Sequence, residues 1–254
     1  MSDKSIRILS LGWGIQSFTL AAMVALGELE PVDYAIHADT THERTDTYKF
    51  AEKWTGWLEE HGVKVITVKP DDTPMIDKWG GVTIPAYTET KDGGRINRQC
   101  TGTWKITPMR RMIQNLRNKQ PVEQWLGISL DEIQRMKDAD VKYITNRWPL
   151  IEKKMSRWDC KLWLEKHGLE IPPRSACVFC PFHSRSEWRD IRDNATEDWN
   201  KAVDIDNQIR KARPPYDLFV NVQRKPLGEC DLDNEVDKGQ LNLWDNECSG
   251  ICGV

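Results

Sequence analysis

Ile6-Arg-Ile-Leu-Ser10-Leu-Gly12-Trp13-Gly14-Ile-Gln16-Ser17 is the stretch on which the reading of the fold turns. A short apolar run ends in a glycine turn. A helical apolar pattern comes next, through Phe18, Leu20, Ala21, Ala22, Val24, Ala25 and Leu26, and Gly27 closes it. This is strand, turn, helix. Asp33–Ala38 repeats the strand pattern, and a helix from about Asp46 places Phe50, Trp54, Trp57 and Leu58 on one face before Gly62 stops it. Val63–Val68 supplies a third strand. Two successive β–α–β units predict an α/β fold, a Rossmann-like parallel sheet with helices on both faces.

Farther along, residues 71–99 are rich in Gly, Pro, Asp and Thr and read as a long irregular excursion, a kind of loop that is usually functional or mobile. Helices are expected over Thr107–Lys119, with Pro108 near the start, and over Ser156–His167, with Ser156 as N-cap and Gly168 at the end. Gln124–Ile128 is read as a fourth strand and Glu187–Arg213 as one further helical stretch. The expected organisation is a domain over residues 1–213 followed by a C-terminal tail over 214–254.

The chain carries 36 Lys+Arg against 39 Asp+Glu, a net charge of −3, which excludes a wholesale polyanion binder but not a local basic face. No apolar run approaches the ~18 residues of a membrane span, and the first ten residues lack a signal-peptide core, so a cytoplasmic protein with no membrane role is expected. Seven cysteines are too many to pass over. In a reducing compartment an odd number fits a disulfide framework poorly. Two spaced sets stand out, Cys177-Val-Phe-Cys180 and Cys248-Ser-Gly-Ile-Cys252.

Glycines between strand and helix let backbone N–H groups turn toward an anion, and the helix N-terminus adds partial positive charge. Ser10, Gly12, Gly14, Gln16 and Ser17 are therefore the candidate phosphate-binding residues. Taken with the motifs downstream of it, this loop resembles that of the PP-loop ATP pyrophosphatases and the phosphoadenosine phosphosulfate (PAPS) reductase family. That family's usual form is Ser-Gly-Gly-x-Asp-Ser; Trp13 here replaces a glycine and Gln16 the acid. The run Asp39-Thr40-Thr41 through Asp46-Thr47-Tyr48 resembles the family's Asp-Thr-Gly segment and the Glu-Thr-Tyr after it. Cys100-Thr-Gly-Thr-Trp-Lys105-Ile-Thr-Pro108 resembles Cys-Cys-x-x-Arg-Lys-Val-x-Pro. Gly127-Ile-Ser129-x-x-Glu132-x-x-Arg135 resembles an altered Gly-x-Arg-x-x-Glu-Ser region, and Cys177-x-x-Cys180 resembles the family's Cys-x-x-Cys. The order of these matches from about residue 8 to 182 carries the resemblance.

The resemblance implies ATP, APS or PAPS at the loop and at Asp39 and Thr40, and leaves Mg²⁺ and an oligomeric state open. It implies a 4Fe–4S cluster on Cys100, Cys177 and Cys180 with Cys160 as the candidate fourth ligand. A three-cysteine cluster or a structural Zn²⁺ on the same residues are the alternatives. Lys105 and Arg135 are the candidate catalytic cations. The tail cysteines, Cys248 and Cys252, loosely resemble the reductases' terminal nucleophile, which needs a thiol reductant or sulfur donor as partner. Arg95, Arg98, Lys105, Arg110 and Arg111 surround Cys100 and are of the type that holds phosphates of a nucleotide or nucleic-acid substrate. Three functions emerge as expectations: ATP-dependent activation and thiolation-type modification of a nucleobase, sulfonucleotide reduction through a tail thiol, or nucleotide or redox sensing without turnover.

Overall fold

A computed structural model describes residues 5–89, 94–96 and 98–233. Its strands are β1 (Ile6–Ser10), β2 (Tyr34–Ala38), β3 (Val65–Val68), β4 (Tyr87–Thr88), β5 (Val122–Trp125), β6 (Ile144–Arg147) and β7 (Leu218–Phe219). Five of them form one parallel sheet in the order β3-β2-β1-β5-β6, with Ile8 opposite Tyr34 on one side and Gln124 on the other. The helices are α1 (Ile15–Ala25), α2 (Thr45–Glu60), α3 (Thr107–Leu116), α4 (Pro149–Glu152), α5 (Arg157–Lys166), α6 (Arg185–Asn194) and α7 (Thr196–Ile209).

Alternation along β1 divides the core between the two sheet faces. Ile6 and Ile8 join Ile36, Val122, Ile144 and Ile113 of α3. Leu9 joins Trp125, Phe18 of α1, Leu58 of α2 and Leu164 of α5. The expected α/β fold with helices on both faces is the fold observed. From β1 the chain winds outward to β3, then returns to β5 on the opposite side. Beyond the C-terminal ends of β1 and β5 lies the switch point, where open α/β sheets place ligands.

A second core gathers Ile84, Trp104, Val178, Phe179, Trp188 and Ile205. It is tied to α2 by buried polar contacts. Asp198 of α7 accepts hydrogen bonds from the Thr45 backbone N–H at 2.8 Å and from its hydroxyl at 2.7 Å, capping α2 from another helix. Residues 214–233, expected to begin a tail, belong to this core: Leu218, Val220, Leu227 and Leu232 are buried in it. Fully buried Asp206 holds them there, accepting from the N–H groups of Val220 and Leu227 at 2.8 and 2.9 Å.

Several boundaries differ from expectation. The fourth sheet strand starts at Val122 rather than Gln124, and β6 is an additional edge strand. Glu187–Arg213 is two helices broken at Ala195. A π-helical turn over Thr101–Ile106 precedes α3, a distortion often found at functional sites. Ser156 caps α5 in a reciprocal capping box with Asp159, as its position predicts. Among the described residues no helix is long and apolar enough to cross a membrane.

Candidate functional site: a bare glycine loop at the sheet switch point

The loop after β1 turns sharply at Trp13, which adopts a left-handed φ of 58°. For a non-glycine residue that costs about 1–2 kcal/mol. The offset is packing: the indole is buried and lies against Phe18, His37 and Phe50. Trp13 thus anchors the loop to the core. Gly12 and Gly14 are different. A Cβ on Gly12 would meet only Ser17 Oγ at 3.7 Å, and one on Gly14 only Ser175 Cβ at 3.8 Å. Neither has a positive φ, so the fold itself does not require glycine at either position. What glycine leaves is uncovered backbone beside the first turn of α1, whose N–H groups lack intrahelical acceptors. Gly127, after β5, is required by packing, because its Cβ would stand 2.8 Å from Ser17 N.

The loop's polar side chains are engaged locally. Ser17 Oγ accepts from Gly12 N–H at 3.1 Å and donates to the Gly14 carbonyl at 3.2 Å. Ser10 faces Gln124 and Met109. The Gln16 amide donates to Ser129 Oγ at 3.3 Å and to Glu132 Oε2 at 3.1 Å, and Glu132 also pairs with Arg135 at 2.5 Å. Arg135, a candidate catalytic cation, therefore sits behind the loop, joined to it through Glu132.

Beyond β2, Asp39 accepts from Thr41 N–H at 2.7 Å, Tyr48 at 2.8 Å and Lys69 at 3.2 Å. Burial works to raise its carboxyl, but these bonds win and hold it below the usual carboxylate range. Thr40 Oγ1 lies 3.3 Å from Cys177 Sγ. Glu43, its side chain only 1% exposed, accepts from Lys105 Nζ at 3.1 Å and Ser175 Oγ at 3.4 Å. Glu43 also bridges to Cys177 through the backbone. Buried Glu43 thus joins Lys105, on the π-helical turn, to Ser175.

The cysteines fall into separate places. Cys177 and Cys180 share a turn, with Cys180 N–H donating to the Cys177 carbonyl at 2.9 Å. Cys100 packs against the same core as Cys177. Burial, with Glu43 beside it, pushes the Cys177 thiol well above its ordinary range. Cys160 is elsewhere, fully buried among α1 and α5, where burial pushes its thiol up to about 12. Its expected place beside Cys177 is not where the structure puts it, because its helix packs on the sheet face covered by α1. Among the described residues no three His, Cys, Asp or Glu side chains converge as metal ligands. Cys248 and Cys252 lie outside the described residues.

His183 was missed by sequence reasoning, although Cys177, Cys180 and His183 recur at intervals of three. Its Nε2 lies 2.9 Å from the Cys177 carbonyl, which accepts from it and so braces the cysteine turn. The expected arginine cluster divides. Arg110 pairs with Asp140, and Arg111 with Asp71 at 3.0 Å. Arg95 and Arg98 lie over the Phe182 ring at 4.2 and 5.9 Å.

Sheet order and loop together make this an α/β protein of the doubly wound, Rossmann-like type, with a glycine loop at its switch point. No protein-family model matches the sequence, and no curated protein matches it. Among solved structures the chain is similar to phosphoadenylyl-sulfate (PAPS) reductase from Candida auris in a phosphate complex, at 14% identity and a TM-score of 0.46 over 66% of this chain and 76% of that one. Similarity at that level says nothing of ligand or reaction.

Proposed function

We propose that this protein is an ATP-dependent enzyme of PP-loop/PAPS-reductase type that activates an oxygen on a nucleobase-like acceptor for replacement by sulfur or another nucleophile. The observation that carries the reading is the pair of glycines, Gly12 and Gly14, kept bare where the fold does not need them and where the first turn of α1 offers its N–H groups. In this reading the loop holds the nucleotide phosphates. The acceptor's carbonyl oxygen bonds to the α-phosphorus, the bond from that phosphorus to the bridging oxygen breaks, and pyrophosphate leaves. A sulfur donor then attacks the activated carbon and AMP leaves with the oxygen.

Lys105 supports this role. Its ammonium is partly exposed and held by buried Glu43, which also accepts from Ser175. A cation so oriented is placed to offset charge that builds on the phosphate in the transition state. Glu43 is a positioning residue that fixes the lysine. The test is product analysis. Pyrophosphate and AMP released from ATP in the presence of acceptor and sulfide support the reading. Sulfite released from APS or PAPS, with no pyrophosphate from ATP, would replace it by sulfonucleotide reduction; nucleotide binding with neither product would replace it by sensing.

A further inference from the structure

A cavity of about 560 Å³ opens between the segments that come after β2 and β3 and the helix α7. That volume is in the range of small-molecule pockets. Thr41, His42 and Glu43 form one wall, and Thr73 and Met75 another. Lys201, Asp204 and Gln208, on one face of α7, are exposed along its rim. It lies at the C-terminal edge of the parallel sheet, where ligands of such folds bind.

We propose that this cavity is the acceptor site and that it takes an uncharged planar heterocycle of nucleobase size; the assignment of the ring as acceptor rests on the ATP-dependent reading above. Three observations decide the ligand class. First, the cavity is not built for phosphate. The N-terminus of α2 reaches it at Thr45, but Asp198 already occupies the Thr45 N–H and hydroxyl. Second, its charges balance internally. Lys201 stands three residues from Asp204 on α7, and Glu43 is matched by Lys105. His42, depressed by burial, adds no charge at neutral pH. Third, the lining has the two textures of a flat heterocycle. Met75, Val178 and Ile205 offer apolar surface for ring faces, while the Asp204 carboxylate and Gln208 amide offer an acceptor and a donor for a ring edge.

Glu43 lines the cavity on one side and accepts from Ser175 on the other. Thr41 has a left-handed φ of 64°, fixed by its N–H bond to Asp39, so the cavity wall is preset rather than formed on binding.

The test is isothermal titration of the full chain with free adenosine, guanosine, cytidine and uridine, each alone and then with saturating ATP. At least one nucleoside is expected to bind saturably and without displacement by ATP. Asp204→Ala and Gln208→Ala should each weaken it at least tenfold, and Gly14→Val should leave it unchanged. The proposal is overturned by absence of saturable binding for all four, by binding indifferent to both α7 variants, or by competition with ATP, which would make the cavity the adenosine half of one nucleotide site. Failure of ATP to bind anywhere would sink the ATP-dependent reading. The nucleoside titration without ATP would still report on the cavity.

Discussion

The side-chain amide of Gln16, on the first turn of α1, donates to Ser129 Oγ, on the loop leaving β5, at 3.3 Å. These two positions depart from the resembled pattern, where an acid and an arginine stand. Both departures are neutral, and they touch. The Gln16 amide and the Ser129 hydroxyl thus join the loop after β1 to the loop after β5 without an ion pair between them.

The amide is also a donor to Glu132 at 3.1 Å in a buried setting. Gln16→Glu turns that donor into a second carboxylate. We expect a loss of roughly 1–3 kcal/mol in urea unfolding at pH 7. Adding Glu132→Gln should recover at least about 1 kcal/mol, because a donor and an acceptor again face each other. Simple additivity of the two substitutions would show that the contact carries no coupling.

Trp13→Gly removes left-handed strain of about 1–2 kcal/mol but also an aromatic anchor, whose truncation ordinarily costs about 3–5 kcal/mol. The net expectation is a destabilisation of roughly 2–3 kcal/mol, read from thermal or urea unfolding. A more stable Trp13→Gly protein would mean that the indole does not anchor the loop.

The strand–loop–helix start was legible because an apolar run, two glycines and a helical period coincide within twenty residues. Strand β6 was not: Ile144-Thr-Asn-Arg147 lies at the sheet edge and buries only Ile144, so its pattern carries little apolar signal. The break at Ala195 has neither glycine nor proline to mark it. Residues 214–233 looked irregular because buried Asp206 holds them by backbone hydrogen bonds that no periodicity shows. At the site, the loop residues and Lys105 were found from motif order. Glu43 as the lysine's partner, His183 as the brace, and the α7 wall of the cavity come from segments 62, 6 and about 160 residues from their partners. Cys160 misled because proximity to Cys177 in sequence does not survive the side of the sheet on which α5 packs.

His37 lies under the loop, its Nδ1 3.0 Å from the Leu11 carbonyl, which accepts and so places the proton on Nδ1. Burial lowers its pKa from 6.5. The unfolded chain therefore takes up a proton that the native state resists. Stability is fully present above the unfolded value, and is lost as pH falls below about 6.5 toward the lower native value. His37→Gln should flatten that part of the stability–pH curve. An unchanged slope would show that the imidazole is not held neutral.

Cys160 is expected to stay unmodified by iodoacetamide at pH 8 in the native protein and to react once unfolded, because its thiol is buried and pushed up to about 12. Peptide mass mapping reads this directly. Cys160→Ala should leave the metal content of anaerobically purified protein unchanged. Native alkylation at the rate of Cys180, or metal lost in the variant, would contradict its placement.

The central claim is that bare backbone at Gly12 and Gly14 is a phosphate seat. The most direct measurement is the equilibrium affinity for ATP of the native chain and of Gly14→Val, with unfolding midpoints measured in parallel. The account predicts saturable binding that falls at least 100-fold in Gly14→Val, with the midpoint little changed, since the Cβ it adds meets only Ser175 at ordinary contact distance. Equal ATP affinity in the two proteins, or no binding by the native chain, would contradict it.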